Sequence, residues 1–152
     1  MPLWTIYHPT EAFAEVETRQ AFSKSITSFY TAIGLPPFYV VVNFITVPKG
    51  FAWVGAEQPT NTFIRITISH LAARVPDNTE THYELTASLE RIMKPFIADK
   101  GYDYEYHIDQ SERELWRING FIPPPFQSEE EKVWARLNKA VPYDGHPVVK
   151  LP

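Results

Sequence analysis

The chain has 152 residues, a formal net charge of −4, no cysteine, and hydrophobic and aromatic contents of 44% and 14%. That length and composition suit one folded domain with a real core rather than a disordered chain. The missing cysteines exclude disulfides, thiol nucleophiles and thiolate metal sites, and the acidic balance speaks against a nucleic-acid-binding face.

In chain order, residues 3–7 read as a strand rich in aromatic and branched side chains, and His8-Pro9-Thr10-Glu11 as a turn. Residues 11–32 read as a helix with Ala14, Val16, Phe22, Ile26, Phe29, Tyr30 and Ile33 at helical spacing, stopped by Gly34-Leu35-Pro36-Pro37. Residues 39–47 are nearly all apolar, which predicts a strand buried on both faces. Residues 51–54 suggest a short strand or edge, and residues 57–61 a loop.

The order then repeats. Residues 62–69 alternate as a strand, residues 71–78 form a loop, and residues 79–98 predict a second helix bent or ended by Pro95. Residues 102–108 give a fourth main strand, and residues 109–116 a short helix. Asn119-Gly120 turns, Phe121-Ile122 is briefly extended, and Pro123-Pro124-Pro125 ends it. Residues 128–138 read as a helix with glutamates in its first turn, suited to the helix dipole, followed by a tail from Val141.

Two strand–helix–strand units give an α+β fold: a four-stranded sheet with two helices on one face, plus a C-terminal helix. We expect a single domain over residues 1–152, with pseudo-repeats at about 2–55 and 62–125 and a C-terminal extension at 126–152. The bare face of the sheet then needs cover for its Val, Ile and Phe side chains, and self-assembly supplies it. The start lacks a basic segment followed by an apolar stretch, and no apolar run is long enough to span a membrane, so a cytoplasmic location is expected.

Pro2 directly follows Met1 and opens the first strand. A small second residue permits removal of the initiator Met, which would leave Pro2 as a terminal secondary amine able to act as base, acid or nucleophile. With Pro2 in that place, with Ser25-Ile26-Thr27, Val41, Asn43-Phe44 and Asn119-Gly120-Phe121-Ile122-Pro123, and with the doubled layout, the chain resembles the tautomerase superfamily. It is most similar to the branch named for cis-3-chloroacrylic acid dehalogenase, in a fungal form. The resemblance implies a homotrimer and a small carboxylic-acid substrate. It also implies an amino-terminal proline that shuttles protons in a pocket lined by cations.

Carried over residue by residue, the resemblance makes Pro2 the catalytic proline and Tyr106 the fourth-strand tyrosine. The substrate-contacting histidine late in the first helix is Tyr30 here. The two arginines that grip the substrate carboxylate fall at Leu71 and Arg74, and the water-activating glutamate at Arg117. Arginine stays protonated, with a pKa above about 12, so Arg117 is no base. A proline-dependent tautomerase acting on a small keto-enol or unsaturated acid needs no water activation and is the leading expectation.

In that reading Arg74 and Arg117 clamp the carboxylate, and Tyr30 and Tyr106 donate to the substrate oxygen. Arg65, a charge inside an apolar strand, is a secondary ligand-binding candidate. The alternatives are a hydratase or dehalogenase on an acrylic-type acid, with Glu114 activating water, or a non-catalytic oligomeric binding protein. No cofactor, metal, nucleic-acid or membrane partner is implied, since no HExxH or glycine-rich phosphate pattern is present.

Overall fold

The computed structural model describes residues 1–70 and 74–145. Its four strands are β1 (Leu3–His8), β2 (Val41–Thr46), β3 (Phe63–His70) and β4 (Asp103–Gln110). The helices are α1 (Val16–Ala32), α2 (Thr79–Met93) and α3 (Glu129–Leu137). The sheet order is β2-β1-β3-β4, with β1/β2 and β3/β4 parallel and β1/β3 antiparallel. This is the expected fold: tandem β-α-β units in one mixed sheet, helices on one face, and a C-terminal helix.

Strand alternation sends Trp4, Ile6, Ile64, Ile66 and Ile68 to the helical face, where all are fully buried. Phe22 and Ile26 of α1 and Leu89 and Met93 of α2 close over them. Phe22 also stacks on Phe96 beyond α2, ring centroids 4.7 Å apart, which ties the two repeats together.

Several expectations are corrected. β2 is an edge strand with a largely exposed pattern, so its apolar run does not mark burial on both faces. The opposite face of the sheet is mixed: Leu3, Tyr7, Val41, Ile45 and Phe63 give it the expected apolar part, while Thr5, Arg65, Thr67, Glu105 and His107 lie on it in register as a polar part. Residues 51–54 form no strand; Val54 makes only an isolated bridge to Glu57. α1 begins at Val16 rather than residue 11, because Phe13 adopts a left-handed conformation, φ 53°, that no helix tolerates. Val16 and Ile33 are exposed accordingly. Residues 109–110 extend β4, and the short helix after it contracts to a 3-10 turn, Arg113–Leu115. Among the described residues no helix is long and apolar enough to cross a membrane.

Topology gathers many segments at one end of the sheet. β1 and β2 start there and β3 and β4 finish there, so Met1, Tyr39, His70 and residues 111–117 all lie at that end. α3 packs over the same end, with Trp134 edge-on to Tyr39 and Tyr143 and tilted against Phe38.

Candidate active site

Met1 precedes Pro2 and is buried, its sulfur accepting a hydrogen bond from Nε1 of Trp116 at 2.9 Å. Pro2 is therefore held by a peptide bond, and its nitrogen is an amide without a basic lone pair. This overturns the expected proline-dependent tautomerase: the first residue is Met, and no amino-terminal proline is present. The Met1 amino group itself has its pKa lowered to about 5 by burial, with Glu131 opposing the shift.

Beneath it runs a buried hydrogen-bond chain. Nε1 of Trp4 donates to the Tyr30 hydroxyl at 3.1 Å. The Tyr30 oxygen lies 2.6 Å from Nε2 of His70. The Tyr30 hydroxyl accepts from the indole, and the direction of its bond to His70 follows the ring tautomer: it donates to a bare Nε2 or accepts from Nε2–H. Burial lowers the His70 pKa to about 4, helped by the neighbouring Met1 ammonium, so the ring is neutral at pH 7. Burial likewise pushes the Tyr30 phenol well above its usual range.

Opposite Met1 stands Glu131. Ser128 caps α3 by accepting from the Glu131 N–H, the first half of a capping box. The second half is altered: Oε2 of Glu131 accepts at 2.7 Å from the N–H of Gln127, one residue before the cap. Gln127 is held in the left-handed region, φ 61°, a strained conformation that aims its N–H inward. Glu131 is 1% exposed, and its Oε1 makes no hydrogen bond among the described residues. The Tyr39 hydroxyl is buried and equally unpartnered. Burial raises the Glu131 pKa to about 7, against the opposing pull of the Gln127 N–H and the Met1 ammonium. Burial and the Glu131 charge together hold the Tyr39 phenol far above its usual range.

Two buried polar groups without partners, close enough for the charge of one to shift the other, are costly, on the order of 1–3 kcal/mol each. They are also what a small polar ligand needs: a base or acid poised near neutrality, and a free O–H donor.

Of the residues expected from sequence, Pro2 and Tyr30 come together here. Arg74 and Arg117 are at the same end of the sheet but are engaged otherwise. Arg74 is 81% exposed and pairs with Glu112 at 3.7 Å. Arg117 donates to the carbonyls of Glu114 and Trp116 in its own loop. Glu114 is exposed and pairs with Arg113 at 2.8 Å, away from the buried groups. Tyr106 lies half-buried under α2 beside Glu90 and Thr86. Arg65 projects to the far face of the sheet, 3.2 Å from Glu105. Leu71 lies outside the described residues.

Sequence reasoning missed Glu131, Tyr39 and His70. Ser128-x-x-Glu131 is a capping-box pattern, which a surface helix would satisfy just as well, and only the altered second half gives Glu131 another use. His70 ends a strand whose alternation puts it with Ile64, Ile66 and Ile68 on the buried face; that parity was the available signal.

A protein-family model described as "Putative oxalocrotonate tautomerase enzyme" matches residues 1–139. Among solved structures, native RhCC from Rhodococcus jostii RHA1 is 39% identical, with TM-score 0.87, covering 93% of this chain and 99% of that one. A probable enzyme from the thermophilic fungus Aspergillus fumigatus is 38% identical, with TM-score 0.85 and coverage of 94% and 98%. Bacterial and fungal relatives are thus equally similar. N1, a member of the cis-3-chloroacrylic acid dehalogenase family, shares the fold at 15% identity, TM-score 0.66 and coverage of 90% and 97%. No curated protein sequence matches the chain.

Proposed function

The chain belongs to the tautomerase family, and on that premise we propose that it is an enzyme adding water across the activated double bond of a small acrylic-type carboxylic acid. This is the hydratase or dehalogenase class of reaction. The observation that supports the reading is the buried Glu131 carboxyl, with a free Oε1 and a pKa of about 7. A carboxyl balanced near neutral pH takes a proton from water and returns one within a turnover. It supplies the acid–base group that Arg117 cannot.

In this scheme Oε1 takes a proton from water as the water oxygen bonds to C3 of the acid. The electron pair of the double bond moves onto the substrate carboxylate, where the Tyr39 O–H stabilises the growing charge. Protonated Glu131 then delivers its proton to C2. Where C3 carries a halogen, the adduct expels halide and a proton and leaves a carbonyl. Arg74 is kept as the cation that draws the carboxylate to this end of the sheet. The chain is read as one domain of two pseudo-repeats with a C-terminal extension. It belongs to the dehalogenase-like branch and assembles as a homotrimer through the open face of the sheet.

The test is turnover of cis- and trans-3-chloroacrylate and propiolate, followed by proton NMR and halide release. We expect one of these acids to be consumed, with a pH–rate inflection near 7. In Glu131→Gln the inflection disappears and kcat falls about 100-fold or more. A folded Glu131→Gln protein with unchanged kcat overturns the proposal.

A further inference from the structure

The loop joining β2 to β3 carries three large apolar side chains in the open: Phe51 is 77% exposed, Trp53 59% and Val54 49%. A soluble surface rarely groups such side chains unless something covers them. The loop is not slack. Val54 N–H donates to the Glu57 carbonyl at 2.8 Å, and Glu57 N–H returns a bond to the Val54 carbonyl at 3.1 Å. The Trp53 indole donates to the Gly50 carbonyl at 3.0 Å, and Phe51 N–H to the Pro48 carbonyl at 3.0 Å. Rings presented on a loop already held in shape lose less freedom on contact.

Lys49, Gly50 and Ala52 of the same loop wall a cavity of about 450 Å³. Tyr7, Phe63 and Arg65 form other walls, and strand alternation puts all three on the open face of the sheet. The cavity therefore belongs to the face through which the chains of the proposed trimer meet. Apolar surface continues from it along that face, where Tyr7 and Ile45 stand opposite each other in register, 36% and 42% exposed.

A three-fold ring is heterologous: each copy offers one surface to the copy before it and a different surface to the copy after it. Rotation keeps height along the axis, so a projection and the recess that takes it must come from one level of the subunit. A loop that both displays exposed rings and walls a cavity meets that condition. The chemistry matches as well. Pro48, Pro59 and Phe63 give the cavity an apolar lining. Arg65, braced by Glu105 at 3.2 Å, adds a fixed cation, and the face of an indole is the best aromatic partner for one.

We propose that Phe51, Trp53 and Val54 of one copy seat in this cavity of the next, which makes the β2–β3 loop the clasp of the trimer. The clasp rests on the trimer reading given above and is independent of the Glu131 chemistry.

The test is sedimentation of the full chain at low salt, wild type against the double variant Phe51→Ser, Trp53→Ser. Both side chains are already exposed in the subunit, so the variant keeps the wild-type circular dichroism. The wild type sediments as three chains, and the double variant needs about 100-fold more protein to assemble by half. Ala52→Trp, which fills the cavity from its wall, weakens assembly about tenfold or more. The wild type supplies a second reading: acrylamide quenching of tryptophan fluorescence rises on dilution through the dissociation range, and Trp53→Phe abolishes the rise. A wild type that is monomeric at every salt concentration overturns the trimer and the clasp with it. A double variant that assembles like the wild type overturns the clasp alone, as does a quenching rise that survives Trp53→Phe.

Discussion

A carboxyl held out of water stores its cost in the pH dependence of folding. Glu131 has a folded pKa raised from 4.5 to about 7. The folded state therefore keeps a proton that the unfolded state gives up between those values, and stability falls as pH rises through that window. At about 1.4 kcal/mol per pH unit the penalty reaches about 3 kcal/mol above pH 7. Glu131→Gln removes it. Urea unfolding should show the variant level with the wild type near pH 4 and more stable by up to that amount at pH 8. A constant difference across the range would mean that Glu131 ionises as freely in the fold as outside it. Tyr39→Phe gives a parallel case: deleting a buried, unpartnered hydroxyl should stabilise the protein by about 1 kcal/mol or more. The same change should slow turnover by about tenfold or more if that O–H meets the developing charge.

At the scale of elements, α3 is short and its register depends on one cap. Ser128→Ala removes the acceptor for the Glu131 N–H and should cost about 1 kcal/mol of stability. Because the cap also fixes where Glu131 sits, fraying lets water reach the carboxyl. The pH–rate inflection should then move down from 7 toward the ordinary carboxylate range. An inflection that stays at 7 in the variant would separate the cap from the site. The elements were legible in proportion to how far their own side chains decided them. β3 alternates Ile64, Ile66 and Ile68 against polar neighbours, and its burial follows directly. β2 is equally apolar, yet its place at the sheet edge is set by which strand pairs with which, and nothing local to residues 41–46 encodes it. The start of α1 was misread because periodicity extends through Ala14, while the left-handed turn at Phe13 is enforced by packing on His8, Phe22 and Phe44.

For the whole molecule, the site is a product of topology more than of any segment. Tyr30 and His70 are 40 positions apart and share a hydrogen bond only because α1 returns the chain to the end of the sheet where β3 finishes. The sequence marked Pro2 and Tyr30 through resemblance. It offered no sign that residues 128–143 would fold back over them, since that packing rests on Trp134 finding Tyr39 and Tyr143. The open face of the sheet pairs Arg65 with Glu105 and His107 with Asp109 on its β3/β4 half and exposes Tyr7, Val41 and Ile45 on its β1/β2 half. Assembly through it would bury the apolar half and be steered by the charged half, so sedimentation at low salt should report three chains per particle and a loosening at high salt. A monomer at every salt concentration would remove the trimer from the proposal.

Glu131 and Trp134 sit three residues apart on one nine-residue helix. In the proposed mechanism the roof of the site and its proton carrier are the same piece of chain. Any lifting of α3 to admit a substrate carries the carboxyl away with it, and only re-seating restores both at once. On that mechanism an open molecule would be chemically idle, like a press whose die is mounted on its lid.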